Sequence, residues 1–217
     1  MCGRYSVLTE DEIIEVRSII QEISLRLVRD ELEDYEARPG EVRPTDKSAI
    51  IANERDGVAF ESAKFGIKKW DGKGVIINAR SETIKTTRTF SGLLDVGRCV
   101  VPAGEYYEWK VNADSGGRKK PSNIKHFVKD SEGNLLFFAG LCRDGDDGRE
   151  FVIITKAPCG EVVDLHDRMP VCLRVNQIES WLKGELTPDD IVCLEFNAFV
   201  APCDMVQVSG DKQISLF

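Results

Sequence analysis

The chain has 217 residues, 42% hydrophobic and 30% charged, the proportions of a soluble protein with one large core or two small ones. No run reaches the roughly 18 apolar residues of a membrane-spanning helix. The start, MCGRYSVLTEDE, lacks the apolar stretch of a signal peptide or of a lipoprotein anchor at Cys2. Net charge is −8, which on average disfavours a polyanionic partner. The charge is uneven, however: residues 1–36 hold 4 Lys/Arg and 10 Asp/Glu, whereas residues 61–126 hold 13 and 7. A basic middle leaves nucleic-acid binding open beside the plainer reading of solvated lysines. Seven cysteines, at 2, 99, 142, 159, 172, 193 and 203, are an odd number for a disulfide framework, and no two form C-x-x-C. That spacing argues for a reducing cytosol and against a zinc ribbon.

In chain order, Thr9-x-x-Glu12 has the form of a capping box. Ile13, Val16, Ile20, Ile23, Leu27 and Val28 follow at helical spacing, predicting an amphipathic helix from Thr9 to about Tyr35, whole or broken in two. After Ala37-Arg38-Pro39-Gly40 the pattern becomes strand-like. Short apolar or alternating runs occupy 49–52, 58–67, 75–77, 99–101, 106–109, 127–129, 135–141, 151–155 and 171–173, each bounded by Gly, Pro, Asn or Asp. Residues 112–122 read as an exposed loop, 144–148 as a hairpin tip, and 176–183 as a short helix capped by Asn176. No repeat, low-complexity tract or linker divides the chain. The expectation is one α+β domain over 1–217, β-rich, around a curled or barrel-like mixed sheet with flanking helices.

Four segments hold chemistry-bearing residues. Removal of Met1 would make Cys2 the first residue, with a free amine beside a thiol. Such a pair can form an imine with an aldehyde and close a thiazolidine through sulfur, which an internal cysteine cannot do. With pKa values of about 7.7–8.0 for the amine and about 8.5 for the thiol, both are usable nucleophiles near neutrality. The same group could serve as the nucleophile of an amidase, or have no role. Asn78-Ala79-Arg80-Ser81-Glu82 ends an apolar run, where site residues often sit. Asn78 can orient a carbonyl or amine, and Arg80 and Arg88 have the fork geometry for phosphate, unless they form only surface salt bridges. In Tyr106-Tyr107-Glu108-Trp109, alternation puts Tyr106 and Glu108 on one face and Tyr107 and Trp109 on the other. A Glu desolvated among aromatics would titrate high and suit acid/base work, whereas Glu105, beside a turn glycine, reads as solvated. Trp70 and Trp109 could stack on bases or simply fill core. His166, followed by Asp167 and Arg168, is a candidate proton carrier, and His126 reads as structural. The nucleophile-elbow, P-loop and dinucleotide-binding motifs are absent, and two histidines 40 residues apart with no thiol cluster make a metal site unexpected.

Together, Met1-Cys2-Gly3-Arg4-Tyr5, Ile77-Asn78-Ala79-Arg80-Ser81-Glu82-Thr83, Val101-Pro102-Ala103 with Tyr107-Glu108-Trp109, and His166-Asp167-Arg168-Met169-Pro170 resemble the SRAP family of SOS response-associated peptidase-like proteins, sensors of abasic sites in single-stranded DNA. The resemblance runs from residue 2 to about 202. It implies a β-rich domain with a positively charged cleft and a covalent thiazolidine link from the mature terminal cysteine to an abasic aldehyde, protecting the lesion in the DNA damage response. By motif, the nucleophile falls on Cys2, the orienting amide on Asn78, the acid/base on Glu108 and the catalytic histidine on His166. Phosphate contacts fall on Arg4, Arg80, Arg88 and Arg168, and aromatics near the DNA on Trp70 and Trp109. It also implies peptidase (hydrolase) and lyase activities, no cofactor, no metal, no membrane, a monomer, and a cytoplasmic location with nucleoid association when bound to DNA. The alternatives are an N-terminal-nucleophile cysteine amidohydrolase and a non-covalent single-strand-binding module. Three stretches depart from the family pattern. Pro102-Ala103-Gly104-Glu105 exchanges the glycine and the acid, Glu41-Val42-Arg43-Pro44-Thr45 replaces an amide by a carboxylate, and Gly66-Ile67-Lys68-Lys69-Trp70 is shortened.

Overall fold

A computed structural model describes residues 2–23, 26–32, 35, 40–112 and 122–203. Strand β1 (Tyr5–Ser6) leads into helix α1 (Glu10–Glu22). The Thr9 hydroxyl accepts from the Glu12 N–H at 3.3 Å, and the Glu12 carboxylate accepts from the Thr9 N–H at 2.7 Å, completing the expected capping box. Ile13, Val16 and Ile20 form the buried face. The helix ends earlier than its apolar spacing predicts. Leu27 and Val28 lie instead in β2 (Leu27–Glu31), which pairs in parallel with β5 (Gly57–Phe65) from Leu27↔Val58 onward. The unpaired backbone of a sheet edge outcompetes a helical periodicity that short apolar runs specify weakly.

Strand β3 (Glu41–Val42) precedes the hairpin of β4 (Lys47–Glu54) and β5. Short strands β6 (Ile67–Lys68), β7 (Val75–Ile76) and β8 (Asn78–Arg80) follow, then α2 (Leu93–Val96), β9 (Arg98–Ala103), β10 (Tyr106–Asn112) and β11 (Ser122–Asp130). The loop expected over 112–122 falls mainly outside the described residues. Strands β12 (Leu136–Gly145) and β13 (Gly148–Lys156) make the hairpin whose tip was expected at 144–148. A 3-10 turn (Gly160–Asp164), β14 (Met169–Pro170), β15 (Cys172–Leu173), α3 (Val175–Leu182), α4 (Pro188–Val192) and β16 (Ala198–Pro202) complete the order. Helix α3 is capped not at Asn176 but two residues earlier, at Arg174, where the Gln177 side chain accepts from the Arg174 N–H at 2.9 Å. Gln177 at the third helical position fits this reach, so the cap follows Gln rather than Asn.

Strands β4, β5, β9, β12 and β13 close on themselves. Antiparallel pairs link β5–β4, β4–β9, β9–β12 and β12–β13, and a parallel pairing of β13 with β5, Phe151↔Phe65, closes the ring. A second sheet runs β16-β11-β10-β1-β3. The β-rich α+β class and the barrel-like mixed sheet with flanking helices are therefore those the sequence implied. Both faces of the barrel wall are covered. Ile51, Phe60, Val100, Phe137 and Ile154 pack with Ile13, Val16 and Ile20 of α1 and with Ile178 and Trp181 of α3. Ile50, Phe65, Val101, Phe138 and Ile153 pack with Tyr5, Val42, Tyr106 and Val128 of the second sheet. Burial on two sides explains why these strands read as continuous apolar runs. At Gly140 an added Cβ would lie 2.9 Å from Cys99 Sγ and from the Val152 oxygen, so the strands approach too closely there for a side chain.

Trp181 ties helix to barrel. It is fully buried, its Nε1 donates to the Cys99 oxygen at 2.9 Å, and the Arg98 guanidinium lies 4.3 Å from its ring centroid. Arg98 in turn donates to the carbonyls of Leu94, Trp181 and Leu186, so one buried cation holds three chain segments. Trp181→Ala is expected to lower unfolding free energy by about 3–5 kcal/mol, as cavities left by large aromatics do. Urea denaturation checks it, and a loss below about 1 kcal/mol would mean the helix is not anchored here.

Candidate functional site

The first residues of the chain are held from both sides. Tyr5 pairs with Tyr106 of β10 and with Val42 of β3, and the Tyr107 N–H donates to the Arg4 oxygen at 2.9 Å. The buried Tyr5 ring meets Phe65 and Phe138 edge-on, with centroids at 5.5 and 5.9 Å. This anchorage leaves Cys2 with no solvent exposure. Asn78 reaches it from β8, which lies parallel to β13 at Asn78↔Ile153. Asn78 Nδ2 donates to the Cys2 oxygen at 3.1 Å and, more weakly, to the Ile153 oxygen at 3.4 Å. Its Oδ1 is buried and accepts no hydrogen bond among the described residues. An orphaned acceptor of that kind is costly unless a donor arrives.

Glu108 comes from β10, where the expected alternation holds. Tyr106 and Glu108 are buried, while Trp109 is half-buried on the other face beneath Arg4, whose Cζ is 4.9 Å from the ring centroid. Burial pushes the Glu108 carboxyl up to about 7, with Asp167 adding a smaller push. The Cys2 thiol is raised well above its ordinary value, first by burial and then by Glu108 and Cys172, so it rests as a neutral thiol. His166 Nε2 is 3.8 Å from Glu108 Oε2. Its Nδ1 lies 2.8 Å from Asp167 Oδ1 and 3.1 Å from the Arg168 N–H, and burial lowers its pKa. Cys2, Asn78, Glu108 and His166, which stand far apart in sequence, thus form one partly desolvated cluster. Glu105 is half-buried rather than solvated, bound to the Tyr107 hydroxyl at 2.5 Å and to Lys129 at 3.0 Å. Tertiary packing of Tyr107 brings those partners to it, which a turn glycine next door does not foretell. His126 is buried and its Nδ1 lies 3.0 Å from the Ile124 oxygen, a structural placement.

The cationic and aromatic candidates separate into groups. Arg80 is exposed at the end of β8. Arg168 is only 11% exposed, and its guanidinium grips Glu82 bidentately at 2.6 and 2.9 Å and donates to the Thr155 oxygen at 2.6 Å. Its best-formed bonds are therefore internal, and through its backbone N–H it also holds His166. Arg4 bonds Glu41 at 3.2 Å. Trp70, fully exposed, and Arg88 line a separate open groove of about 1220 Å³ with Lys68, Lys69, Ile76 and Arg143, and none of the four clustered residues lines it. None of the seven cysteines is joined in a disulfide. Among the described residues no group of three or more His, Cys, Asp or Glu is placed to hold a metal ion.

Sequence reasoning missed Glu82 and Glu41 as partners of the site arginines. Glu82 stood within the polar segment singled out, but its pairing with Arg168 spans 86 residues. The Arg168 guanidinium, which donates to the carboxylate, holds Glu82 at about pKa 2. A carboxylate depressed on folding contributes stability in full above its ordinary 4.5, and this is lost as pH falls toward 2. Glu82→Gln is therefore expected to lower the urea midpoint at neutral pH and to converge on the wild type as the pH is lowered. A constant difference at every pH would disprove the linkage.

Comparisons with known proteins agree with this geometry. Residues 1–211 match the family model of the SOS response associated peptidase. The chain is 28% identical over 198 residues to the abasic site processing protein YedK of Escherichia coli, covering 86% of this chain and 82% of that protein. It is 32% identical over 203 residues to the abasic site processing protein YoqW of Bacillus subtilis, covering 88% and 84%. Among solved structures, a phage-related protein from Bordetella bronchiseptica superposes with TM-score 0.70 at 24% identity, covering 93% of both chains. A protein from Bacteroides thetaiotaomicron does so at 0.66 and 20%, covering 95% of this chain and 94% of its own. The family-model match over residues 1–211, with relatives at 28% and 32% identity over most of the chain and a fold match of this extent, makes the chain a member of the SRAP family.

Proposed function

We propose that this protein processes abasic sites in single-stranded DNA, capturing the lesion's aldehyde as a thiazolidine on Cys2 once Met1 has been removed. The observation that carries this reading is the hold on Cys2: Asn78 Nδ2 is 3.1 Å from its carbonyl oxygen, near the buried Glu108 carboxyl, which titrates near 7. The relatives named for abasic-site processing support the substrate class. Arginines would hold the strand by its phosphates and leave base identity unread.

The steps balance as follows. The Cys2 amine adds to C1′ of the ring-opened sugar. Glu108 in its acid form protonates the departing hydroxyl, and water leaves to give the protonated imine, with Glu108 left ionised. The buried Cys2 thiol is too weakly acidic to ionise unaided, so ionised Glu108 takes its proton as sulfur adds to the same carbon. The imine nitrogen keeps its own proton as it becomes the ring nitrogen, Glu108 ends protonated as it began, and one water is released overall. Asn78 Oδ1, without a partner among the described residues, would accept from the amine and orient its lone pair. His166, near Glu108, would help open the sugar ring. Holding amine and thiol on one residue supplies the proximity, with effective molarities of about 10⁵ M or more for well-aligned groups. The imine also permits β-elimination, so strand scission is a side reaction. Exposure of Cys2 would come from the chain's own peptidase activity or from an aminopeptidase.

Single-stranded DNA bearing one abasic site, run on a denaturing gel, tests the reading. Wild type is expected to give a shifted band, with none from Cys2→Ala or from undamaged DNA. Cys2→Ser should retain imine formation and some scission but lose the stable adduct, and equal adduct from Cys2→Ser would refute the role of sulfur. Amide turnover without adduct would favour an amidohydrolase, and equal binding of intact and abasic strands without adduct a non-covalent binder. Glu108→Gln is expected to slow adduct formation at pH 7 by about 10²-fold. It should also flatten the fall in rate that wild type shows as pH rises above about 7, where ionisation removes the acid form of Glu108. An unchanged pH profile would remove Glu108 from the proton path.

A further inference from the structure

One carboxylate stands among the cations that meet Trp109 and Tyr107 of β10. Glu41, on β3, is paired with Ser6 of β1 and meets Arg4, two residues on from Cys2. Its Oε2 lies 3.2 Å from Arg4 Nη1 and 3.9 Å from Arg43 Nε, and its Oε1 accepts from Lys125 Nζ. Those cations are also set against aromatic faces, Arg4 over Trp109 and Lys125 Nζ 3.8 Å from the Tyr107 ring centroid. Arg4 and Lys125 keep 39% and 30% of their side-chain surface exposed, so a strand can reach them, while Glu41 keeps 18%. The carboxylate therefore sits where a backbone phosphate would accept the same hydrogen bonds, and the two anions cannot share them without repulsion. Lys125 and Arg4 hold Glu41 below the ordinary carboxylate range despite the opposing effect of its partial burial, so it stays ionised at neutral pH.

We propose that Glu41 is an internal rival of the phosphodiester, a specificity-determining residue that weakens binding of intact strands and so leaves retention to the covalent step at an abasic site. This rests on the proposed function for the identity of the ligand. A strand arriving at Arg4 and Lys125 must displace Glu41, and the protein then neutralises fewer phosphates in net terms than its cation count suggests. Intact single strands are held only by those contacts and by stacking, so they leave quickly. An abasic strand, once bonded to Cys2, is indifferent to the difference.

The test uses the full-length protein and a fluorescent, undamaged single-stranded oligonucleotide, with affinity measured by anisotropy over a range of salt. Glu41→Gln keeps the shape and removes the charge. It is expected to bind several-fold more tightly than wild type at low salt. The slope of log affinity against log salt should steepen by about 0.7 for each phosphate newly neutralised. Glu132→Gln, which removes the same charge from the rim of a separate acidic cavity with Glu15, Asp130 and Glu195, should leave the slope unchanged. In a background of Arg4→Gln with Lys125→Gln, the gain from Glu41→Gln should vanish. Equal or weaker binding by Glu41→Gln, or the same gain from Glu132→Gln, overturns the inference. An abasic oligonucleotide on a denaturing gel separates the two readings. Wild-type adduct without tighter binding by Glu41→Gln sinks this inference alone. No adduct with tighter binding sinks the covalent mechanism alone. Neither adduct nor binding sinks both.

Discussion

The placement of Cys2 depends on how the first strand of the fold is fastened. Two residues, Tyr5 and Ser6, are enough to bridge β10 and β3, and the buried Tyr5 ring wedges against Phe65 and Phe138. A chain terminus is ordinarily among the most mobile parts of a domain unless it is tied into a sheet. Here the tie fixes Cys2 against Asn78 and beside Glu108. An aminothiol at the end of a loose tail would have its chemistry but not its proximity. The barrel supplies the rigid wall, because Asn78 is carried on β8 against β13, one of the strands that closes the ring.

Burial then sets the proton inventory. The same desolvation raises the Cys2 thiol, raises Glu108 to about 7 and lowers His166. Each shift favours the neutral form, as desolvation of an acid or of an imidazole must. The arginines nearby divide by what they already hold. Arg168 is committed to Glu82 and to the backbone that carries His166, which suits a positioning role, and Arg4 shares Glu41 with Lys125. An acidic protein can thus carry a basic face whose strength is trimmed by its own carboxylates.

Much of the fold was legible where local physics dominates. The Thr9–Glu12 capping box, the alternation through Tyr106 and Glu108, and the apolar runs of β4, β9, β12 and β13 all appear as their patterns predict. Reading failed where long-range pairing decides. Leu27 and Val28 continue a helical spacing but join the edge of β5, and the two-residue strands β1, β3 and β14 are too short to leave a periodic signal. The cap of α3 went to Arg174 and Gln177 because a side-chain reach, not the preference of Asn, satisfied the end.

For the site, the sequence by itself determined the residue types: a cysteine next to the initiator, an amide at a strand end, a glutamate between aromatics and a histidine in a short polar turn. Those types follow from chemistry and can be recognised without a fold. Only the tertiary structure decided that they meet, that the carboxyl is dry enough to titrate near neutrality, and that Glu82 and Glu41 answer arginines 86 and 37 residues away. The reason is physical: desolvation and ion pairing depend on which groups surround a side chain in space, and strand pairing between distant segments, invisible to any local pattern, fixes that environment.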